Sequence, residues 1–206
     1  PFALRRLLPL QNIISDNKTK RQKNLKLIAD DFELTYKPLK SRKAEFLENF
    51  IYFKTKKIEH VFNQLSAKND PCRLFDITYS EGEFIAKEVV RSTMLFIKTS
   101  KTLPAFTLDR EGLLERLYVL AGYKDIDIKN HADFSKRFYL RGENTESIRT
   151  LFTDELVRFF ESNAYYHIES SKSGVLIFSK ERVASIKEIK ALLDFGIRLN
   201  KILSQH

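Results

Sequence analysis

Tryptophan is absent from this chain, cysteine and methionine occur once each, and six glycines and five prolines are spread over 206 residues. The lone thiol, Cys72, excludes an internal disulfide framework and a cysteine-rich zinc centre. Its place at the start of an apolar run reads as a small buried residue. Six scattered glycines make neither a phosphate loop nor a dinucleotide fingerprint, and no Gly-x-Ser-x-Gly nucleophile elbow occurs. Long apolar runs are also missing. Nothing approaches the roughly 18–20 consecutive apolar residues that span a bilayer, and Arg5 and Arg6 interrupt the first apolar run, which removes a signal-peptide pattern. The chain begins at Pro1, as an excised fragment would.

What is present is phenylalanine, 17 residues, with 8 tyrosines, inside a composition that is 43% hydrophobic and 31% charged. That composition belongs to a globular chain with an aromatic core suited to sheets. The net charge of +9 is unevenly placed. Residues 1–60 hold 14 basic and 7 acidic side chains, so seven of the nine excess charges lie in them. Arg5, Arg6, Lys18, Lys20, Arg21, Lys23 and Lys26 face only Asp16 within the first 26 residues. The basic character therefore marks an end of the chain.

Residues 1–20 read as a basic connector, bracketed by Pro1 and Pro9. Leu25, Ile28, Ala29 and Phe32 recur at helical spacing and predict a helix over 20–32. Leu34 to Tyr36 reads as a short strand stopped by Pro38. Phe50 to Phe53 and Val61-Phe62 read as short β runs separated by Lys54, Lys56 and Lys57. Residues 73–79 form a strand with Leu74, Asp76 and Thr78 on one face and Phe75, Ile77 and Tyr79 on the other. Residues 84–98 read as a further strand.

Asp109 as N-cap and Gly122 at C′ frame a helix carrying Leu113, Leu114, Leu117 and Leu120. A strand ends at Gly142. Helices follow from Thr145 and again after Thr153, where Asp154 and Glu155 suit the helix dipole. Two strands flank residues 171–174 as a hairpin, and Ser185 with Glu188 makes a capping box for the last helix. The order predicts an α+β fold, a mostly antiparallel sheet with helices packed on it, strand-rich in its first half. Residues 21–206 read as one α+β domain, divisible into lobes 21–108 and 109–206.

Candidate chemistry is sparse. His131 with Asp133, and His167 with Glu169, are spaced to share a strand face, as a metal or acid–base pair would. One histidine and one carboxylate are too few ligands, and the structural reading outweighs the functional one. Asp125 and Asp127 are paired carboxylates able to meet a divalent cation, though they more simply form the wet face of an edge strand. Asp76, central in an apolar strand, must be paired or hydrogen-bonded if buried, with Arg73, Arg91 or a turn amide as expected partners. No catalytic residue, cofactor or metal is assigned.

Four blocks carry a resemblance: Leu74-Phe75-Asp76-Ile77-Thr78-Tyr79, Leu103-Pro104-Ala105-Phe106-Thr107-Leu108, Asp125-Ile126-Asp127-Ile128, and the run from Phe134 to Gly142. In this order they resemble a family of uncharacterised bacterial proteins that place membrane-spanning helices ahead of a soluble domain. Ile77, Arg110 and Ile128 depart from that family's aromatic, proline and phenylalanine. The resemblance implies a cytoplasm-facing domain with a binding or scaffolding role, tethered to a membrane by a segment before Pro1, with a protein partner. Juxtamembrane cytoplasmic segments carry excess Lys and Arg, which makes Arg5, Arg6, Lys18, Lys20, Arg21 and Lys23 candidate membrane-surface contacts. Nucleic-acid binding is the alternative that the pI permits, disfavoured because the rest of the chain is nearly neutral. A small hydrolase or metal enzyme ranks lower for want of ligands.

Overall fold

A computed structural model describes residues 8–68, 71–82, 87–110, 118, 120–128 and 130–205, with side chains described from residue 20 onward. In chain order the elements are α1 (Leu8–Asp31), β1 (Thr35–Lys37), β2 (Lys56–Ser66), β3 (Cys72–Glu81), β4 (Glu88–Ile97), β5 (Phe106–Asp109) and β6 (Lys124–Asp125). There follow α2 (Ala132–Arg137), β7 (Tyr139–Gly142), α3 (Thr145–Leu151), α4 (Asp154–Ser162), β8 (His167–Ser171), β9 (Gly174–Phe178) and α5 (Ile186–Leu203). The fold is α+β. Nine strands form one sheet ordered β1-β2-β3-β4-β9-β8-β5-β7-β6, and every pairing is antiparallel.

Alternation along β3 divides the packing into two layers. Leu74 points to the side where α1 and α5 lie, and it packs with Leu25, Ile28, Leu65, Leu95, Ile97, Leu193 and Leu199. Phe75, Ile77 and Tyr79 point to the other side, where Leu47, Phe50, Tyr52 and Phe53 cover them. Each such fully buried side chain contributes about 1.5–3 kcal/mol from the area removed from water. Both layers cross from β4 to β9, since Ile177 joins the first and Leu176 and Phe178 the second.

The β4–β9 seam is short, with Leu95, Phe96 and Ile97 opposite Ile177, Leu176 and Val175. It needs Gly174, at φ +139°, because a Cβ there would stand 2.1 Å from the Ile97 carbonyl oxygen. The last helix, α5, begins at the Ser185–Glu188 capping box and buries Ile189, Leu193, Gly196, Leu199 and Leu203. Gly196 lets it lie close on the sheet, since a Cβ would meet Leu95 Cδ2 at 2.2 Å.

Several expectations shift. The first helix starts at Leu8, inside the segment read as a connector, and runs on through the predicted 20–32. Residues 51–53 form a 3-10 turn, Ile51–Phe53, instead of a strand. Lys56 and Lys57 do not separate two runs; they begin the eleven-residue β2. Asp109 closes β5, and most of the helix it was read to cap lies outside the described residues. That helix ends as expected, with Gly122 at φ +83° and the Tyr123 N–H donating to the Tyr118 carbonyl at 2.9 Å.

A cleft at the start of the last helix and the buried polar networks behind it

Asp76 sits in the middle of β3 with 1% of its surface exposed. A carboxylate so placed is costly unless fully hydrogen-bonded, and here it accepts four bonds. Oδ1 accepts from Arg21 Nη2 at 2.8 Å and Thr93 Oγ1 at 2.6 Å; Oδ2 accepts from Arg21 Nε at 3.0 Å and Asn63 Nδ2 at 2.8 Å. Asn63 reaches it from a bulge in β2, where its φ is +50° and the pairing shifts between Phe62 and Leu65. Bulges re-aim side chains in this way. Tyr36 donates to Asn63 Oδ1 at 3.0 Å, and burial, reinforced by Asp76, pushes its phenol up to about 12.

The partner of Asp76 is therefore neither Arg73 nor Arg91. Arg73 shares the parity of Phe75 and points to the opposite face, where its guanidinium lies 4.5 Å from the Phe46 ring. Arg91 stands across from Thr78 and is exposed. Arg21, 55 residues away on α1, takes the role. The same guanidinium donates from Nη1 to the Ala184 carbonyl at 2.7 Å, and the Ala184 N–H donates to Thr93 Oγ1 at 2.9 Å. One cation thus ties the first helix to β3, β4 and the approach to α5.

Thr93 and Ala184 also line a cleft of about 600 Å³ between residues 164–166, residues 179–184 and the first turns of α5. Its walls are mainly apolar, from Ala164, Tyr165, Tyr166, Ala191 and Leu192, with Lys180, Arg182 and Lys187 at the rim. Glu188 is engaged by Arg182 and by the Ser185 N–H, and Arg182 holds its carboxyl down at about 2. The cleft offers shape and positive rim charge but, among its described lining residues, no nucleophile paired with a base. A pocket of this size is ordinary for a small ligand or a partner's side chains.

A second network lies within the sheet. His167 and Glu169 share one face of β8, as their spacing predicts, and both are buried. Tyr118 lies 3.0 Å from His167 Nε2 and donates to Glu169 at 3.3 Å. Asp109 approaches His167 Nδ1 at 3.7 Å and accepts from Tyr165 at 2.9 Å. Glu169 accepts the Tyr52 N–H at 3.0 Å and also the Ile51 N–H, so it staples the 51–53 turn to the sheet. Burial pushes its carboxyl up; His167 and these amides oppose that. Tyr52 adds bonds to Tyr79, at 2.6 Å, and to Glu181.

The other predicted residues scatter. His131 pairs with Asp154 at 2.9 Å, away from Asp133, whose partner is Lys136. Asp125 and Asp127 are exposed beside buried Ile126 and Ile128, and Asp125 accepts from Arg141 Nε at 2.7 Å. Among the described residues, no group of three or more His, Cys, Asp or Glu is placed to hold a metal ion. Lys20 and Lys23 are exposed on α1, whereas Arg21 is folded onto Asp76. Arg5 and Arg6 lie outside the described residues, and Lys18 lies within α1 without a described side chain. Nothing in the sequence marked the cleft, because its walls come from three separated segments.

The architecture defines an α+β domain built on a single open antiparallel sheet. No protein-family model and no curated protein matches the chain. Its fold is similar to that of the crystal structure of the mycobacterial trehalose monomycolate transport factor A, TtfA, with a TM-score of 0.54 and 11% identity, over 88% of this chain and 93% of that one. At that identity the likeness shows the fold. Among the described residues, no helix is long and apolar enough to cross a membrane.

Proposed function

We propose that this chain is a binding or scaffolding domain held at the cytoplasmic surface of a bacterial membrane by a segment preceding Pro1, and that the cleft beside α5 receives a protein partner. The observation that carries the reading is the outward stripe of α1. Leu25, Ile28 and Ala29 are buried, so at 100° per residue Lys20, Lys23, Lys26 and the 62%-exposed Leu27 turn away from the domain. Exposed Asp30 shares this face, so the stripe carries three lysines, one carboxylate and one apolar residue; its net positive charge suits an anionic lipid surface, where each cation gains about 1 kcal/mol. Arg21 makes the helix rigid with respect to the sheet, so a surface that holds α1 holds the whole domain. The solved structure with the similar fold is that of a transport factor, which fits a membrane-associated role.

The test is sedimentation with vesicles containing acidic lipid at low salt. Retention should fall as ionic strength brings the Debye length to about 8–10 Å. Lys20→Gln, Lys23→Gln and Lys26→Gln together should remove most of it, whereas three C-terminal lysines changed likewise should not. Arg21 is left intact because its loss would disturb the fold. Equal retention by both triple variants, or tight binding to oligonucleotides alone, would refute the membrane reading.

A further inference from the structure

The cleft beside α5 holds one polar group that the fold leaves unused. Tyr166 lines it and is 8% exposed, its ring packed on Phe195 with centroids 4.6 Å apart. Among the described residues, no hydrogen bond engages the Tyr166 hydroxyl. The neighbouring Tyr165 hydroxyl, by contrast, accepts the Arg110 N–H at 2.6 Å and donates to Asp109 at 2.9 Å. The Tyr166 oxygen is not sealed from solvent, so it opens into the cleft that the residue lines. Burial, reinforced by Glu188, raises its pKa, and it stays a protonated donor. A buried phenol normally finds an acceptor, and the cleft is where one can enter.

The charge around this donor has one sign. Glu188 is the one carboxylate among the described liners, and Arg182 engages both its oxygens, at 2.5 and 3.1 Å. That leaves Lys180 and Lys187, both exposed and, among the described residues, without an ion pair. The capping box satisfies the amides of Ser185 and Glu188. Those of Ile186 and Lys187 have no intrahelical acceptor, at the positive end of an eighteen-residue helix. Facing these donors are the apolar walls, Ala164, Ala191, Leu192 and the Tyr165 ring.

We propose that the cleft recognises an acidic, apolar-anchored segment of a protein partner. One aliphatic or aromatic side chain of that segment lies against Ala164, Ala191 and Leu192. The carboxylate of an adjacent acidic residue accepts from the Tyr166 hydroxyl, with Lys180 and Lys187 beside it. The inference rests on the reading of this cleft as a partner site and adds what the partner must present. A carboxylate is the complement of a neutral donor flanked by cations, because charge-assisted bonds are the strong ones. A free anion would leave the apolar walls wet, so the charge must arrive attached to apolar surface. The cleft, at about 600 Å³, admits a few side chains. None of the α1 lysines takes part.

Fluorescence anisotropy of the full chain with two labelled peptides tests it, one with the core Leu-Phe-Glu-Glu and one with Leu-Phe-Gln-Gln. The glutamate peptide should bind at least tenfold tighter, since hydrogen bonds to charged groups are the stronger. Tyr166→Phe should remove about tenfold of that affinity and leave the melting temperature unchanged, because no hydrogen bond within the fold is lost. Lys180→Gln/Lys187→Gln should weaken the glutamate peptide and flatten its salt dependence. Ala191→Leu, at an exposed helix position, should fill the cleft and abolish binding of both peptides. Arg182 stays intact because it holds Glu188. Lys20→Gln/Lys23→Gln/Lys26→Gln should bind as the unaltered chain does. Equal affinity for the two peptides, lost in Ala191→Leu, would overturn the proposal while leaving the cleft a partner site. Binding of neither peptide up to about 1 mM, or binding that survives Ala191→Leu, would overturn both. A glutamate preference that Tyr166→Phe leaves untouched would also overturn the proposal.

Discussion

Arg21→Met is the most informative single change, because it strands the Asp76 carboxylate. In the native fold Arg21 supplies two of the four hydrogen bonds that this carboxylate accepts, and the positive charge beside it. Removing one partner of a buried ion pair costs about 3–5 kcal/mol. The Arg21 side chain is 21% exposed while Asp76 is 1% exposed, so water offsets part of the loss and the lower end, about 3 kcal/mol, applies. In a chain of this size about 2–4 °C of melting temperature accompanies each kcal/mol, which gives a fall of roughly 6–12 °C. Lys20→Gln, one residue away and exposed, should change stability by no more than about 0.5 kcal/mol. Adding Asp76→Asn to Arg21→Met should recover part of the loss, since no charge then remains buried. Thermal and urea unfolding followed by circular dichroism measure all three. If Arg21→Met melts with Lys20→Gln, or Asp76→Asn recovers nothing, then the network is not what fixes α1 to the sheet.

Two further outcomes follow from buried groups. Burial raises the Glu169 carboxyl above its ordinary range, so the native state holds a proton that the unfolded chain releases first; stability contributed by this group falls as pH rises from about 4.3 through the raised value. Glu169→Gln should flatten that slope in urea titrations from pH 4 to 8 while costing about 1–3 kcal/mol for a mispaired amide of the 51–53 turn; an unchanged slope would contradict the assignment. Burial pushes the Cys72 thiol up to about 11, so at pH 8 it should react with a disulfide reagent far more slowly than in urea, and equal rates would show that the β3 start is open.

The strands that could be read were those whose pattern is local. The alternation of Leu74 to Tyr79 announces both faces of β3, and the Ser185–Glu188 box with Ile189, Leu193 and Leu199 announces α5. The Phe50 to Phe53 run has the aromatic density of a strand, yet residues Ile51–Phe53 form a 3-10 turn. Its backbone is set by a carboxylate 117 residues away, the Glu169 staple, which no local window contains. The role of Arg21 is legible only in part. In sequence it is one of seven basic residues near the start, and only its helical phase beside Leu25 and Ile28 separates it from Lys20 and Lys23. That signal was available, as was the parity that excludes Arg73 from Asp76. The cleft is not legible, because it gathers side chains from separated segments that meet only through the fold.

The two outer strands of the sheet have a bearing on its solution behaviour. An open sheet of nine strands has two rows of backbone groups able to template a further strand, a standing invitation to self-association. Here one margin is closed by three residues, Thr35–Lys37, followed at once by Pro38, and the other by two, Lys124–Asp125. The stretch of β2 that β1 leaves uncovered begins with Lys56 and Lys57. Short strands, a proline and charges are devices by which natural sheets refuse strand addition. Strand addition at either margin is thereby disfavoured, which leaves the faces and helices as the broader surfaces for a partner.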